Sequence, residues 1–419
     1  MRISGFIVFL LAAGVVSAQD APSDIQAKTK SEMGPKAASP QNSGLPAEAR
    51  VDDRGDDDDR VAKELSAEDQ KLKTLLAKVN KALDFYQRRQ LNTRDHSPWE
   101  VMHSLVAYGC DTQIYRGGPG GQKVNAIGWL CWNGACNRQR LMYLNGDRPV
   151  AEQGPGVQGH DGQFLAMLAQ SRVNINYGLK VGGRDFAVRD LVESEKLGCR
   201  AGSELTFQLI GLVHYLPSDA KWKNSYGQTW TIQRLIREEI AQPIRGATCG
   251  GSHRLFGLAY ALRKRTLRNE PIVGEFRRAQ IYMNDYHKYA YKLQNKDGSF
   301  STDYFRGRGS DSSLDERLRT TGHVLEWLAF SVPEEELTDP RMTKAVDYLS
   351  GLMLGGRNRR WEIGPQGHAL HGLVIFRDRA SKRFAADQPS EPVESKEPVK
   401  SKEPAKAKEA AKAKDVVDQ

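Results

Sequence analysis

Three kinds of signature are missing from this 419-residue sequence, and each absence argues against a class of function. It has no glycine-rich nucleotide-binding loop and no serine nucleophile elbow, which argues against nucleotide-dependent enzymes and α/β-hydrolases. Its five cysteines lack the paired spacing of a cysteine-rich zinc module. After the N-terminal segment, no run is apolar enough to cross a bilayer. The sequence leaves the cofactor unknown.

The N-terminal segment has the composition of an export signal. It carries one Arg, an apolar run over residues 6–16, and the small-residue site "VSA" before Gln19. The apolar run is shorter than the roughly 20 residues that a membrane span needs. We therefore expect a cleaved signal over residues 1–18 and an exported protein, in the periplasm, at the cell envelope or secreted. No transmembrane span should remain after cleavage.

The two flanks differ in composition from the middle of the chain. Residues 19–65 are rich in Pro, Ser and Asp and end near "GDDDDR", a composition that predicts a disordered linker. Residues 381–419 repeat Lys-Glu-Pro units and predict a solvated, disordered tail. One folded domain is left over residues 66–380.

The positive charge lies in that domain. The whole chain carries a net charge of +9, and because the flanks are slightly acidic, the domain carries about +11. Basic clusters such as "LRKRTLR" (262–268) and "GRNRRW" (356–361) add to this. A basic surface favours an anionic partner, for which we expect an acidic polysaccharide or another envelope polyanion and not nucleic acid. A basic face that serves only solubility is the alternative.

The domain alternates between two kinds of predicted helix. Amphipathic stretches such as "TWTIQRLIREEIAQ" should have one wet face, whereas stretches such as "HRLFGLAYAL" are apolar almost all round and should be buried. The six apolar stretches start at His103, His160, Glu204, His253, His323 and His368. Because they recur at helical-hairpin spacing, the sequence predicts an all-α fold, an α/α toroid of about six hairpins with the apolar helices inside.

One β-hairpin insertion is expected near residues 123–145. Asn133 and Gly134 form the strongest short hairpin signal, because a type I′ turn needs positive φ at both central residues. A two-residue turn there would place Cys131 directly opposite Cys136. In an oxidising compartment, this pairing predicts a cross-strand disulfide between them. The pairing of the remaining cysteines stays open.

The segment "QNKDGSF" (294–300) resembles the Gln-x-x-x-Gly-x-aromatic repeat of the terpenoid cyclase and protein prenyltransferase superfamily. That resemblance implies the toroid fold and structural roles for Gln294, Gly298 and Phe300. The catalytic Asp-x-Asp-Asp motif of the class II terpene cyclases occurs here only in the acidic linker. The resemblance therefore concerns the fold and does not extend to activity.

The six starting positions should share one mouth of the toroid, each in the first turn of a helix. His323 and Glu326 are three residues apart, as are His368 and His371, a spacing that permits a base with its orienting partner or two metal ligands. The predicted catalytic residues are His253, His323, Glu326, Arg254 and Asp161, the predicted ligand-binding residues are His103, His160, Glu204, Trp327 and Trp361, and the predicted metal ligands are His368 and His371. Alternatively, each histidine caps or packs a helix start.

These residues support three hypotheses. In the first, the basic funnel binds an anionic polymer and the protein is a polysaccharide lyase or hydrolase, since such chemistry needs a base, an acid and a cation. In the second, the protein is a non-catalytic envelope binding or scaffold protein. In the third, it is a metal-dependent toroid enzyme.

Overall fold

The computed structural model describes residues 66–385, and this part of the chain is mostly α-helical. The predicted signal at 1–18, the linker at 19–65 and the tail beyond residue 385 lie outside the described residues. The helices are α1 (Ala67–Gln87), α2 (Pro98–Tyr108), α3 (Ala126–Cys131), α4 (Gln163–Gln170), α5 (Val188–Gly198), α6 (Thr206–Tyr215), α7 (Ile232–Ala241), α8 (Ser252–Leu267), α9 (Gly274–Leu293), α10 (Leu314–Ser331), α11 (Pro340–Gly355), α12 (Ile363–Ala380) and α13 (Lys382–Ala385). Across residues 66–385, no helix is long and apolar enough to cross a membrane.

The even-numbered helices from α2 to α12 contain the apolar stretches, and they are the buried ones. In α4 every residue from Gln163 to Ala169 is buried, and in α6 every residue from Thr206 to Val213. These helices contact one another in chain order, α2 with α4, α4 with α6, α6 with α8, α8 with α10 and α10 with α12. In addition, α12 contacts α2. Each even-numbered helix therefore has two neighbours of its own kind.

The longer odd-numbered helices bury one face against the even-numbered ones. In α7 the buried residues are Ile232, Leu235, Ile236 and Glu239, the i, i+3, i+4, i+7 pattern of an amphipathic helix. The helix begins where the side chain of Thr231 accepts a hydrogen bond from a backbone amide of the first turn. Helix α5 contacts α6, both α7 and α9 contact α8, and α11 contacts α10.

Short strands form four two-stranded antiparallel sheets within residues 66–385, where the sequence predicted one hairpin. The pairs are β1 (Gln113–Arg116) with β2 (Gln122–Asn125), β3 (Met142–Asn145) with β4 (Arg148–Ala151), β5 (Gly178–Val181) with β6 (Arg184–Ala187), and β7 (Lys221–Lys223) with β8 (Thr229–Thr231). The turn between β5 and β6 is Gly182 and Gly183, with φ of 57° and 77°. A type I′ turn requires that conformation at both positions.

The hairpin predicted at Asn133–Gly134 is wrong, because the residues before it are helical. Helix α3 runs through Cys131, and Asn133, at a φ of 51°, adopts the left-handed conformation that commonly ends helices. The Asn133 side chain is anchored to β3, since it donates to the carbonyl of Met142 at 2.7 Å and accepts from its amide at 2.9 Å. Cys131 and Cys136 are both buried and unpaired, so the predicted disulfide is wrong as well.

Helices α10 and α12 are in backbone contact because glycine stands on both sides. A Cβ added at Gly322 would lie 2.9 Å from Cα of Ala369, and a Cβ at Gly372 would lie 3.0 Å from the amide nitrogen of Glu326. Interiors are close-packed, and such distances leave no room for a side chain. The contact brings the Glu-bearing face of α10 against the His-bearing face of α12.

The segment 294–300 holds the end of α9 to the start of α11. The Gln294 side chain donates to the carbonyl oxygens of Gly298 at 3.0 Å and Arg341 at 2.9 Å. Gly298 has a φ of 98°, which favours glycine, and a Cβ there would lie 2.5 Å from a carbonyl oxygen of α11. Phe300 is buried. Gln294 and Gly298 thus join α9 to α11, and Phe300 packs in the hydrophobic core.

Candidate metal centre

Five histidines meet in one cluster, and they come from α2, α8, α10, α12 and the segment before α4. The ring centroid of His253 lies 5.5 Å from that of His160 and 5.1 Å from those of both His323 and His368. The rings of His323 and His368 are 4.0 Å apart, and His103 lies 5.6 Å from His368. His253 is therefore at the centre of what we call the histidine cluster.

The positions along the helices differ in part from those expected. His253 is the second residue of α8, in its first turn as predicted. His103, His323 and His368 lie deeper inside α2, α10 and α12, because these helices begin before their apolar stretches. His160 and Glu204 lie just before α4 and α6. A first-turn position is therefore correct for His253 and wrong for the other five residues, although the five histidine rings are neighbours.

Two rings of the cluster are fixed by their own helices. Nδ1 of His103 lies 2.7 Å from the carbonyl oxygen of Trp99, and Nδ1 of His323 lies 2.7 Å from that of Arg319. A carbonyl can only accept, so Nδ1 carries the proton in both rings and Nε2 keeps its lone pair. This is the arrangement in which histidines bind metal ions.

Carboxylates orient the other two outer rings. Nδ1 of His160 donates to Oε2 of Glu204 at 2.8 Å, and Nδ1 of His368 donates to Oε2 of Glu326 at 2.7 Å. The second oxygen of Glu326, Oε1, accepts from Nδ1 of His371 at 2.6 Å. The spacing along α10 suggested His323 as the partner of Glu326, but the partners lie across the helix contact, on α12.

Glu326 places a negative charge beside the cluster. It is only 4% exposed, and burial alone would raise the pKa of its carboxyl group. Hydrogen bonds and electrostatic attraction from His368 and His371 outweigh burial and lower that pKa well below its ordinary value. An ionised carboxylate held inside the protein favours a nearby cation.

His253 has no partner for either ring nitrogen. The residue is 7% exposed, and both Nδ1 and Nε2 are buried without a hydrogen bond to any described residue. Leaving a buried polar group unsatisfied costs about 1 to 3 kcal/mol. Burial, followed by the neighbouring histidines, lowers the pKa of His253 well below its ordinary value, so the ring is neutral. A neutral, unpartnered imidazole is suited to bind a metal ion.

Cys249 completes a set of three possible metal ligands. Its Sγ and one ring nitrogen each of His253 and His323 all lie within 4.8 Å of one another. Cys249 sits in the short 3-10 turn before α8, where it, Gly250 and Gly251 have φ of 49°, 64° and 84°. A left-handed cysteine costs about 1 to 3 kcal/mol, and such strain is concentrated at functional sites. Burial raises the pKa of the Cys249 thiol to about 12, so a bound metal ion would have to displace its proton. One thiolate and two imidazoles would then form a ligand set typical of zinc and other transition metals.

Burial keeps two further rings of the cluster neutral, those of His103 and His323. It is the largest cause that lowers the pKa of His103, to about 3, and it lowers that of His323 well below its ordinary value. Neutral imidazoles are the form that binds metal ions. The cluster therefore offers lone pairs at neutral pH without prior loss of a proton.

A cavity of about 520 Å³ opens onto the cluster. Arg245, Arg306 and Arg319 line it together with Tyr304 and the histidines. Arg319 is held by Glu316 at 2.9 Å and by Glu362. Arg245 and Arg306 have no carboxylate partner within residues 66–385. Asp303, Glu316 and Glu362 line the cavity too, so its carboxylates equal its guanidinium groups in number, and the charge that lacks a direct partner is that of Arg245 and Arg306.

Several residues predicted for the site lie outside this cavity. Arg254 forms a buried ion pair with Glu239 at 3.3 Å and donates to the carbonyl of Pro243 at 2.6 Å. Trp327 is fully buried, and Trp361 donates through Nε1 to the hydroxyl of Tyr86 at 2.9 Å. The ion pair and both tryptophans are parts of the core.

Asp161 lies in a second pocket of about 410 Å³ with Glu195 and Gln208. The pKa of the Glu195 carboxyl is raised from 4.5 to about 7, chiefly by burial; the hydrogen bond from Gln208 at 3.2 Å opposes this increase, and the charge of Asp161 adds to it. Oε1 of Gln208 is buried without a partner. If the side-chain amide of Gln208 is rotated by 180° so that Oε1 faces Glu195, the protonated Glu195 carboxyl can donate a hydrogen bond to that oxygen.

Replacing Glu195 with Gln should remove a pH dependence of stability. Between pH 4.5 and about 7 the folded wild type retains a proton that the unfolded chain has lost, so stability from this group falls as pH rises through that window. Above pH 7 we expect Glu195→Gln to be more stable than wild type by about 3 kcal/mol, and near pH 4.5 to equal it. Urea unfolding at pH 5 and pH 8 measures this, and a parallel pH dependence in both proteins would contradict it.

Sequence reasoning missed Cys249, Tyr304 and the three arginines of the cavity, Arg245, Arg306 and Arg319. A usable signal for Cys249 was its distance of four residues from His253, with two glycines between that can turn the chain. Tyr304 offers no comparable signal, since its position depends on how the segment before α10 folds over the cavity. The chain matches no protein-family profile, no curated protein and no solved structure.

Proposed function

We propose that this protein is a metal-dependent enzyme that acts on an anionic polymer, with Cys249, His253 and His323 as the metal ligands. The observation that carries the proposal is His253, which is buried at the centre of five histidines with both ring nitrogens unpartnered. Three protein ligands are the number found in catalytic zinc sites, whereas structural sites use four. His368 and His371, which the spacing suggested as ligands, donate to Glu326 instead and are not assigned as metal ligands.

A zinc ion held in this way supplies a Lewis acid and activates water as a nucleophile near neutral pH. The rings around it are suited to proton transfer. His160 and His368 each hold a proton on Nδ1 through a carboxylate partner, which leaves Nε2 free to accept one. We assign these two residues as candidate bases, and we assign hydrolysis or elimination of a polysaccharide as the reaction.

Two guanidinium groups of the cavity that form no ion pair within residues 66–385 support an anionic substrate. Arg245 and Arg306 line it, and the domain carries most of the positive charge of the chain. Guanidinium groups bind carboxylate and sulfate groups strongly and with defined geometry. An acidic polysaccharide of the cell envelope has these groups, and the signal-like N-terminus supports export to a compartment where such polymers occur.

We also infer that the helices form an α/α toroid. Each even-numbered helix from α2 to α12 contacts the next, and α12 contacts α2, which is the contact pattern of a closed inner ring. The odd-numbered helices alternate with them along the chain and bury one face against them. A ring of this kind brings equivalent positions of the six inner helices towards one mouth, where the histidine cluster lies.

The test is turnover of uronate-containing oligosaccharides by the full chain before and after chelation. We expect turnover that is lost on chelation, restored by one equivalent of Zn²⁺, and reduced at least about 100-fold in Cys249→Ser, since removal of supporting groups alone costs about 10- to 100-fold. Cys110→Ser is the matched control, because Cys110 is an exposed cysteine outside the cavity.

Two outcomes would contradict the proposal. Turnover that survives chelation would indicate acid–base chemistry without a metal ion. Stoichiometric zinc with no turnover of any anionic oligosaccharide would favour a binding protein.

A further inference from the structure

Tyr304 is held in a conformation that a large side chain rarely adopts. Its φ is 51°, in the left-handed region, which for an aromatic residue is strained. The surrounding segment is fixed by Ser301, whose Oγ donates to the carbonyl of Gly307 at 2.6 Å and accepts from the amides of Asp303 at 3.1 Å and Gly309 at 2.9 Å. The strain is therefore imposed by a well-bonded turn.

The ring of Tyr304 packs against the turn that carries Cys249. Gly250 lies directly under the ring, and a Cβ at that position would collide with it. Gly250 is itself left-handed, with a φ of 64°. The fold thus uses a glycine to bring an aromatic ring against the backbone next to the proposed metal ligand.

The hydroxyl of Tyr304 is buried and has no hydrogen-bond partner among the described residues. Of all the side chains that line the cavity, only two have a buried polar atom without a described partner, and these are His253 and Tyr304. The neutral His253 ring offers one lone pair, and Tyr304 offers a proton. A lone pair without a partner can bind a cation, and a hydroxyl donor without a partner can bind an oxyanion. Together, His253 and Tyr304 therefore fit a cation and an oxyanion bound side by side in the cavity.

We infer that Tyr304 donates a hydrogen bond to an oxyanion of the substrate, a carboxylate or phosphate group, bound next to the metal centre. This inference rests on the proposed function. Burial raises the pKa of the Tyr304 phenol above its ordinary value, so the group stays protonated and can donate. Arg319 and its partner Glu316 both lie near the phenol, and Arg245 and Arg306, which form no ion pair within residues 66–385, line the same cavity and can bind the oxyanion as well.

The test uses the full chain loaded with Co²⁺, whose visible spectrum reports ligands at the metal. We expect inorganic phosphate or acetate to change the spectrum of the wild type, and the preferred anion will distinguish a phosphate from a carboxylate source. Tyr304→Phe should bind Co²⁺ as the wild type does but bind the anion about 10- to 100-fold more weakly, the effect of one hydrogen bond to a charged group.

Tyr291→Phe is the matched control. The Tyr291 hydroxyl is also buried without a described partner, but it lies outside the cavity, so its removal should leave anion affinity unchanged. Equal anion affinity in Tyr304→Phe and the wild type, with Co²⁺ bound in both, would overturn this inference alone, as would the absence of any response to both anions. A wild type that binds no Co²⁺ would overturn the proposed function and this inference with it.

Discussion

Replacing His253 with Phe is expected to change metal affinity and stability in opposite directions. Zinc affinity should fall at least about 100-fold, because the loss of supporting groups alone costs about 10- to 100-fold and His253 is a proposed direct ligand. The metal-free protein should become more stable, by about 1 to 3 kcal/mol, since Phe fills a similar space and removes two buried nitrogens without partners. A ligand kept at the expense of stability is expected at a functional site.

Zinc affinity is measured by competition with a chelator, and stability by urea unfolding of the metal-free chain. His214→Phe is the control, because His214 lies outside the cavity and its Nδ1 is hydrogen-bonded to the hydroxyl of Tyr260 at 2.7 Å. We expect that variant to retain zinc affinity and to lose stability. A metal-free His253→Phe that is clearly less stable than wild type, with zinc affinity unchanged, would show that His253 is an ordinary core residue.

Replacing Gly322 with Ala should lower the free energy of unfolding by about 3 kcal/mol, at the upper end of the cost of overpacking. The new Cβ would lie 2.9 Å from Cα of Ala369, and backbone cannot move aside as a flexible side chain can. Separation of α10 from α12 would also stretch the hydrogen bonds from His368 and His371 to Glu326, at 2.7 and 2.6 Å. Because these bonds orient the cluster, metal affinity should fall together with stability.

Gly355→Ala is the matched helical control. Gly355 lies in α11, and a Cβ there would meet nothing within 4 Å. Replacing a helical glycine that has open space should leave stability unchanged or raise it by up to about 1 kcal/mol. Thermal and urea unfolding of both variants measure the difference. If Gly322→Ala is as stable as Gly355→Ala, the close contact between α10 and α12 is not a feature of the folded protein.

The sequence predicted the buried helices well because their signal is local. A stretch such as that from His253 to Leu262 is apolar on every side, and burial on all faces is the only way to satisfy it in water. The recurrence of His at the entrance to these stretches then indicated one shared site, and five of these histidines do meet. The apolar composition of these stretches and their regular spacing along the chain were sufficient to predict that the histidines lie together.

The sequence analysis missed most of the strands because it took Asn133–Gly134 as the only hairpin turn in the chain. Gly182–Gly183 is also a type I′ turn sequence, and it forms the β5–β6 hairpin, whereas Asn133–Gly134 follows a helix. A turn dipeptide constrains two residues and does not decide whether the residues before it are extended or helical. At Asn133 the same left-handed preference serves a helix end.

Partners within the site could not be read from spacing along one helix. Glu326 is three residues from His323, yet it bonds His368 and His371 because glycines let α10 and α12 approach each other closely. The proposed role of Cys249 was not predicted either, because the expectation of export suggested disulfides before metal ligands. The partners of Glu326 and the proposed role of Cys249 both depend on contacts between helices that are distant in the sequence.

X-ray absorption spectroscopy at the zinc edge of the full, zinc-loaded chain tests the central claim most directly. The account predicts one sulfur neighbour at about 2.3 Å and two imidazole nitrogens at about 2.0 Å, with a light atom in the remaining position. The sulfur should disappear in Cys249→Ser and remain in Cys110→Ser. A wild-type spectrum without sulfur, or a chain that retains no zinc after loading, would contradict a metal centre built from Cys249, His253 and His323.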